Sequence, residues 1–284
     1  MPDITQICRA VDFIEANLKR PVTVADIAEE ACYSLYHFCR TFNALTHHTP
    51  YDYLMRRRLS ESALALIQTD KKIIDIAFDY QFNNHETYSR AFKRMFACQP
   101  SQVRKLGHVD RRSLMHRLTP AHLRQIGKGP YLRPVLEERA SFQVAGIMSL
   151  IRTPAATQEL WDLLRQELKR GGPALNPNST YGIIFYPKNW DNLGYLYVAA
   201  TETQTPSIEN AALVIKTIPA LTYAKFIHKG TTQELSLTLD YIYHTWLPKS
   251  GNTLSCPLII ERYRQDIIQR DRRDAERDIY IPIA

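Results

Sequence analysis

Residues 75–96 read DIAFDYQFNNHETYSRAFKRMF, and their apolar spacing decides how the first part of the chain folds. Ile76, Ala77 and Tyr80 share one face of a short helix, and Ala77 is small enough for a second helix to cross closely over it. Gln81-Phe82-Asn83 breaks that period. Asn83 or Asn84 can cap a new helix, in which Tyr88, Ala91, Phe92, Met95 and Phe96 recur every three or four residues as an apolar stripe. The opposite face carries His85, Glu86, Ser89, Arg90, Lys93 and Arg94. This is a helix-turn-helix pattern whose second helix offers polar side chains near its N-terminus with cations following. That arrangement suits base edges flanked by phosphates.

The chain makes this unit twice. Asp26-Ile27-Ala28 returns as Asp75-Ile76-Ala77, and after one extra residue Phe38, Arg40, Phe42 and Pro50 correspond to Tyr88, Arg90, Phe92 and Pro100. A helix from about Tyr51 to Gln68, with Leu54, Leu59, Ala63, Leu66 and Ile67 inside, joins the two units. As a rigid connector it would let both reading helices enter successive major grooves, about 34 Å apart on one face of DNA. Upstream, Ile7, Val11, Ile14 and Leu18 predict an amphipathic helix ended before Pro21. Thr23 and Asp26 form a capping-box pair for a helix over residues 24–31. Ser34 starts a third helix with Phe38, Phe42 and Leu45 inside and Tyr36, His37, Cys39 and Arg40 outward. Pro100 to Leu106 closes the second core.

With 284 residues, 45% of them apolar, the chain has the material for two domains. No apolar run reaches membrane-spanning length, and residues 1–20 lack a signal-peptide core, so a cytoplasmic protein without membrane contact is expected. Cys8, Cys32, Cys39, Cys98 and Cys256 are odd in number and lack metal-ligand spacing; reduced thiols, no metal and no cofactor follow as expectations. The net charge of +7 is uneven: residues 1–107 hold 14 Lys/Arg against 12 Asp/Glu, and residues 108–140 hold seven against three. A nucleic-acid role therefore rests on where charge sits, at Arg40, Arg56, Arg57, Arg58, Arg90, Lys93, Arg94, Arg104 and Lys105.

These residues carry a resemblance. Residues 5–106 resemble the DNA-binding domain of the AraC/XylS family of transcription regulators, through its tandem organisation and the pattern IAxxxGF…SRxFKxxFGxxPxxYR. Gln81 stands where that family usually has glycine, which takes positive φ without strain, and Val103 where it often has tyrosine. The resemblance implies double-stranded DNA as partner, read by Tyr36, Cys39 and Arg40 from the first helix. From the second it implies His85, Glu86, Thr87 and Arg90, with Lys93 and Arg94 beside them. RNA polymerase is a further partner consistent with such a regulator.

Residues 108–135 read as a basic interdomain linker between a domain at 1–107 and another at 136–284. In the latter the period changes: Phe142 to Ile151, Tyr181 to Tyr186, Gly194 to Ala200, Val214 to Ile218, Tyr223 to His228, Leu258 to Tyr263 and Asp278 to Ile283 read as strands. Ala156 to Arg170 and Thr232 to Leu247 read as helices. The order strand, helix, strand, strand occurs twice. The fold class is thus an all-α tandem helix-turn-helix domain followed by a pseudo-symmetric α+β domain.

The second half resembles the GyrI-like effector-binding domain. The resemblance runs through Val144-Ala145-Gly146, Tyr223 to Gly230, Asp240 to Tyr243 with Trp246-Leu247-Pro248, Ile260 to Tyr263 and Ile279 to Pro282. It implies a small lipophilic or cationic aromatic effector, with Glu261 at the pocket floor and Tyr197, Trp190, Trp161, Tyr186 and Tyr243 as candidate walls. Two alternatives stay open: Glu261 pairs with a neighbouring arginine or lysine, or the domain contacts a protein. Some GyrI-like proteins are hydrolases, but no second catalytic group stands at a telling spacing from Glu261. No catalytic residue, and no enzyme, is expected.

Overall fold

Asn84 is the residue that starts the second reading helix: its side chain accepts a hydrogen bond from Thr87 N–H at 2.8 Å. In this computed structural model residues 4–127, 132–153, 156–170, 175–187, 194–204, 212–264 and 275–284 are described. They fall in two compact units, Met1–Lys128 with Leu239–Lys249, and Gly129–Thr238 with Ser250–Ala284. Among the described residues no helix is long and apolar enough to cross a membrane.

The first unit is helical: α1 (Ile4–Ala16), α2 (Val24–Glu30), α3 (Leu35–Thr46), α4 (Pro50–Gln68), α5 (Ile73–Asp79), α6 (His85–Phe96) and α7 (Pro100–Leu106). Thr23 and Asp26 close the capping box ahead of α2. The repeat extends to ring packing, because Phe38 meets Phe42 at 5.4 Å and Tyr88 meets Phe92 at 5.5 Å, all four fully buried. It extends to strain as well. Cys32 and Gln81 hold φ of 58° and 65° in the two turns, and His47 and Ala97 both hold 58° after the two reading helices. Gln81 thus adopts the left-handed backbone that glycine would take freely, and its side chain donates to Lys19 O at 2.8 Å. Ala97 is exposed, so glycine there relieves strain at the cost only of extra freedom in the unfolded chain. Ala97→Gly is expected to raise stability by roughly 0.5 kcal/mol, read as a higher denaturant midpoint at unchanged slope.

Two basic stretches are anchored in the helical cores, the first through its guanidiniums and the second through its apolar side chains. Arg57 is 6% exposed, bonded to both oxygens of Glu15 at 2.8 Å, to Glu61 at 2.8 Å and to Met115 O at 2.6 Å. Arg58 is buried as well, donating to Leu18 O and Arg20 O. Both guanidiniums hold the helical core together instead of lying free for phosphate. Residues 109–126 form a packed segment rather than an open linker, with a 3-10 turn (Arg111–Ser113) and α8 (Pro120–Ile126). Met115, Leu118 and Leu123 join the first hydrophobic core, and Val109 and Leu114 the second. Ser60 and Tyr53 accept the backbone N–H groups of Met115 and Leu118, so the segment's polar backbone is satisfied as its side chains are buried.

The second unit is an antiparallel sheet of β1 (Val135–Arg139), β2 (Phe142–Ile151), β3 (Leu175–Phe185), β4 (Tyr195–Thr203), β5 (Val214–Ile218), β6 (Leu221–Lys229), β7 (Leu258–Tyr263) and β8 (Glu276–Ile283). Its order is β1-β6-β8-β7-β3-β4-β2-β5. The two halves mirror each other, β2, β3, β4 and β5 matching β6, β7, β8 and β1, and they meet where β3 pairs with β7. One face buries Val144, Tyr181, Ile183, Val198, Tyr223, Leu258, Ile260 and Tyr280. Helix α9 (Thr157–Lys169) packs on β2 and β4 with Leu160, Trp161 and Leu164 buried. After β6 in the chain, α10 (Leu235–Tyr241) runs on through a π-helical turn (Ile242–Trp246) into α11 (Leu247–Ser250), and Leu239–Lys249 of this run belong to the first unit.

Candidate DNA interface and effector site

Each reading helix is held from behind by its apolar stripe, which fixes what it can offer in front. In α3, Tyr36 is 73% exposed and Arg40 stacks over its ring at 5.7 Å. In α6 the equivalent pair is Glu86 and Arg90, 3.8 Å apart and both exposed. The same i, i+4 geometry therefore presents one arginine per helix, steadied by an aromatic ring in one copy and a carboxylate in the other. His85 and Thr87 are exposed beside them on the first turn. Lys93 and Arg94 are exposed in the last turn of α6, where cations also favour the helix dipole. Cys39 is the exception to the outward set: it is half-buried and packs against the first core.

At the seam of the sheet, Glu261 on β7 lies opposite Gly182 on β3 and Ile279 on β8. It is 3% exposed, and its Oε2 accepts from Tyr263 OH at 2.8 Å and Arg277 Nη1 at 3.1 Å. Arg277 is fully buried and reaches Thr232 Oγ1 at 3.2 Å. Burial alone would lower its pKa, but Tyr263 and the Glu261 charge outweigh that and raise it. The pairing with an arginine left open on sequence grounds is therefore made, by Arg277.

Around this pair the rings close in. Trp161 donates from Nε1 to Tyr197 OH at 3.1 Å and stands edge-on to Tyr263 at 5.0 Å. Tyr197 OH meets Tyr263 OH at 3.4 Å. Gly182 is what admits Tyr197, since a Cβ there would come within 2.2 Å of its hydroxyl. Burial, with the Glu261 charge adding to it, pushes the Tyr195 hydroxyl up to about 12. Tyr186, half-buried, packs on Tyr195 at 5.9 Å.

Glu261, Trp161 and Tyr197 are thus brought into one cluster. Tyr243 is not part of it; it lies in the first compact unit beneath Arg112, 6.0 Å from ring centre to guanidinium. Trp190 lies outside the described residues. The sequence reading passed over Arg277 and Tyr263. Their signal was available: Arg277 shares period-2 parity with the inward Ile279 and Ile281, and Tyr263 with Glu261. A cavity of about 640 Å³ lies elsewhere, lined by Arg9, Phe13, Arg20, Glu29, Glu30 and Cys32 of the first unit.

Residues 27–106 match a family model described as a helix-turn-helix domain, and residues 135–283 match one described as integron-associated effector binding protein. The right origin-binding protein of Escherichia coli (strain K12) is 40% identical over 93 residues, covering 33% of this chain and 32% of that protein. That match spans about a third of the relative's length. Among solved structures, EcmrR in its DNA complex is 15% identical, with a TM-score of 0.46 over 78% of this chain and 80% of that one. SAV2435 bound to tetraphenylphosphonium is 16% identical, with a TM-score of 0.42 over 53% of this chain and 93% of that one. Both family models describe regulatory modules and not catalytic ones. Because the second covers more than half of the chain, the protein belongs to the integron-associated effector-binding protein family, with residues 27–106 matching a helix-turn-helix domain ahead of the effector-binding one.

Proposed function

We propose that the protein is a transcription regulator that reads double-stranded DNA with α3 and α6 and answers to a small cationic, lipophilic aromatic effector. The observation that carries the first part is the doubled reading surface: Arg40 and Arg90 stand at equivalent, exposed places on two helices whose backs are equally buried. Arginine can donate two bonds to guanine, and Glu86 can accept from cytosine. Selection of random duplex DNA by the full-length protein at roughly physiological salt tests it. The expected result is an enriched motif with two read segments about one helical turn apart. Binding without enrichment that vanishes as salt rises would sink the reading, because it would leave only phosphate attraction.

The effector part rests on Glu261, a buried carboxylate among Tyr263, Tyr197 and Trp161. Ring faces and a negative charge together suit a cationic aromatic compound. The related SAV2435 was solved with tetraphenylphosphonium, which serves as the probe here. At about 100 times its dissociation constant a ligand adds about 2.7 kcal/mol of stability. A clear rise in melting temperature, reduced in Glu261→Gln, is expected. An equal rise in that variant would remove Glu261 from the site, and no rise with any such compound would favour a protein-contact role for this domain. RNA polymerase is the partner we assign to the DNA-bound regulator, tested by its retention on promoter fragments with and without the protein.

A further inference from the structure

Asp240, in the last turn of α10, sits among three imidazoles, all within the first compact unit. Thr119 N–H donates to His122 Nδ1 at 3.1 Å, so His122 keeps its proton on Nε2 and donates it to Asp240 Oδ2 at 3.1 Å. That bond holds the carboxylate in one orientation. It leaves Oδ1 turned to His116 Nδ1 at 3.3 Å and to His244 Nε2 at 3.9 Å. Ligand atoms of His116, Asp240 and His244 all lie within 4.8 Å of one another.

His244 is the second observation. It is 7% exposed, its Nδ1 has no hydrogen-bond partner among the described residues, and 3.9 Å is beyond hydrogen-bond reach for its Nε2. Nε2 is the nitrogen that faces Asp240, and its lone pair is open to a further partner. His244 sits within the π-helical turn Ile242–Trp246, a local widening of the helix that is often associated with functional sites.

We propose that His116, Asp240 and His244 form a site for a divalent transition-metal ion of the zinc class. Two imidazoles and one carboxylate are a donor set that such ions accept, with His122 as the outer partner that orients the carboxylate. At metal–ligand bonds of about 2.0–2.1 Å in a tetrahedron, donor atoms stand roughly 3.4 Å apart. The His116–Asp240 spacing of 3.3 Å is close to that value, and the His244–Asp240 spacing of 3.9 Å exceeds it by about 0.5 Å. The exposed side leaves a fourth position for water. The bound ion fastens Asp240 and His244 to the segment between the 3-10 turn and α8, far away in sequence.

Calorimetric titration of zinc chloride into the chelator-stripped, full-length protein tests this. One saturable site is expected, with at least tenfold weaker binding in His116→Gln and in Asp240→Asn. His122→Gln, which removes only the outer partner, should weaken binding about tenfold. Cobalt(II) should give the visible absorption of a four-coordinate nitrogen–oxygen site in the wild type and lose it in His116→Gln. Because His116 is half exposed, that variant should fold normally, checked by an unchanged melting temperature without metal. No saturable zinc binding, or unchanged affinity in both His116→Gln and Asp240→Asn, would overturn the proposal.

Discussion

Arg277→Met is expected to destabilise the sheet unit by about 3–5 kcal/mol, because it strands the Glu261 carboxylate in a site that water does not reach. Glu261 is 3% exposed and Arg277 fully buried, so neither charge has solvent as an alternative partner. Tyr263 OH remains as a donor at 2.8 Å, but a single neutral hydrogen bond does not offset a buried charge. The double variant Glu261→Gln/Arg277→Met should recover roughly 2 kcal/mol or more, since an amide can still accept from Tyr263 without carrying charge. Denaturant unfolding followed by tryptophan fluorescence measures both, with Trp161 packed on Tyr263 as a local reporter. A loss below about 1 kcal/mol for the single variant would mean that the carboxylate is not confined as its burial indicates. The same pair bears on the effector. On the effector role proposed above, a cationic ligand competes with Arg277 for Glu261, so tetraphenylphosphonium should stabilise Arg277→Met more than the wild type.

Arg90→Ala is expected to cost about 1–3 kcal/mol of discrimination between the selected site and a single-base variant, if the guanidinium reads a base. Its position argues for that. Asn84 anchors the start of α6, Tyr88 and Phe92 fix its rotation, and Tyr88 OH is tied to Ser62 at 3.1 Å, so the arginine is presented from a rigid backbone. Glu86, 3.8 Å away, leans on it too weakly in solvent to hold it back from DNA. Arg40→Ala should act at the other half of the motif. If either arginine meets phosphate instead, all sequences weaken alike and the slope of affinity against salt falls by about one. Competition binding against the selected duplex and its point variants separates the two outcomes.

Much of this molecule was legible in local pattern. The 3.6-residue stripes located the paired reading helices, and the period-2 stretches Phe142–Ile151, Val214–Ile218 and Leu258–Tyr263 are strands with those same limits. Thr23 and Asp26 disclosed their capping box because both partners lie within one turn. Gln81 was marked as the odd residue of its turn, and its φ of 65° bears that out.

What was not legible depends on residues far apart in the chain. Arg57 and Arg58 look like any basic pair until Glu15, Met115 O and Leu18 O are brought round them. Residues 109–126 carry scattered apolar side chains among arginines, and only Ser60 and Tyr53 of α4 turn that segment into part of a core.

The sequence by itself determined most of the helices and strands, though not α8, and it determined how the reading helix is repeated and that Arg40 and Arg90 stand in front, because those follow from short-range periodicity and capping. Tertiary structure alone decided that Glu261 meets Arg277, that Cys39 is half-buried and that Asp240 gathers three histidines. Strand parity can turn Glu261 and Arg277 to the same face but cannot bring them together, and His122 reaches Asp240 from 118 residues away.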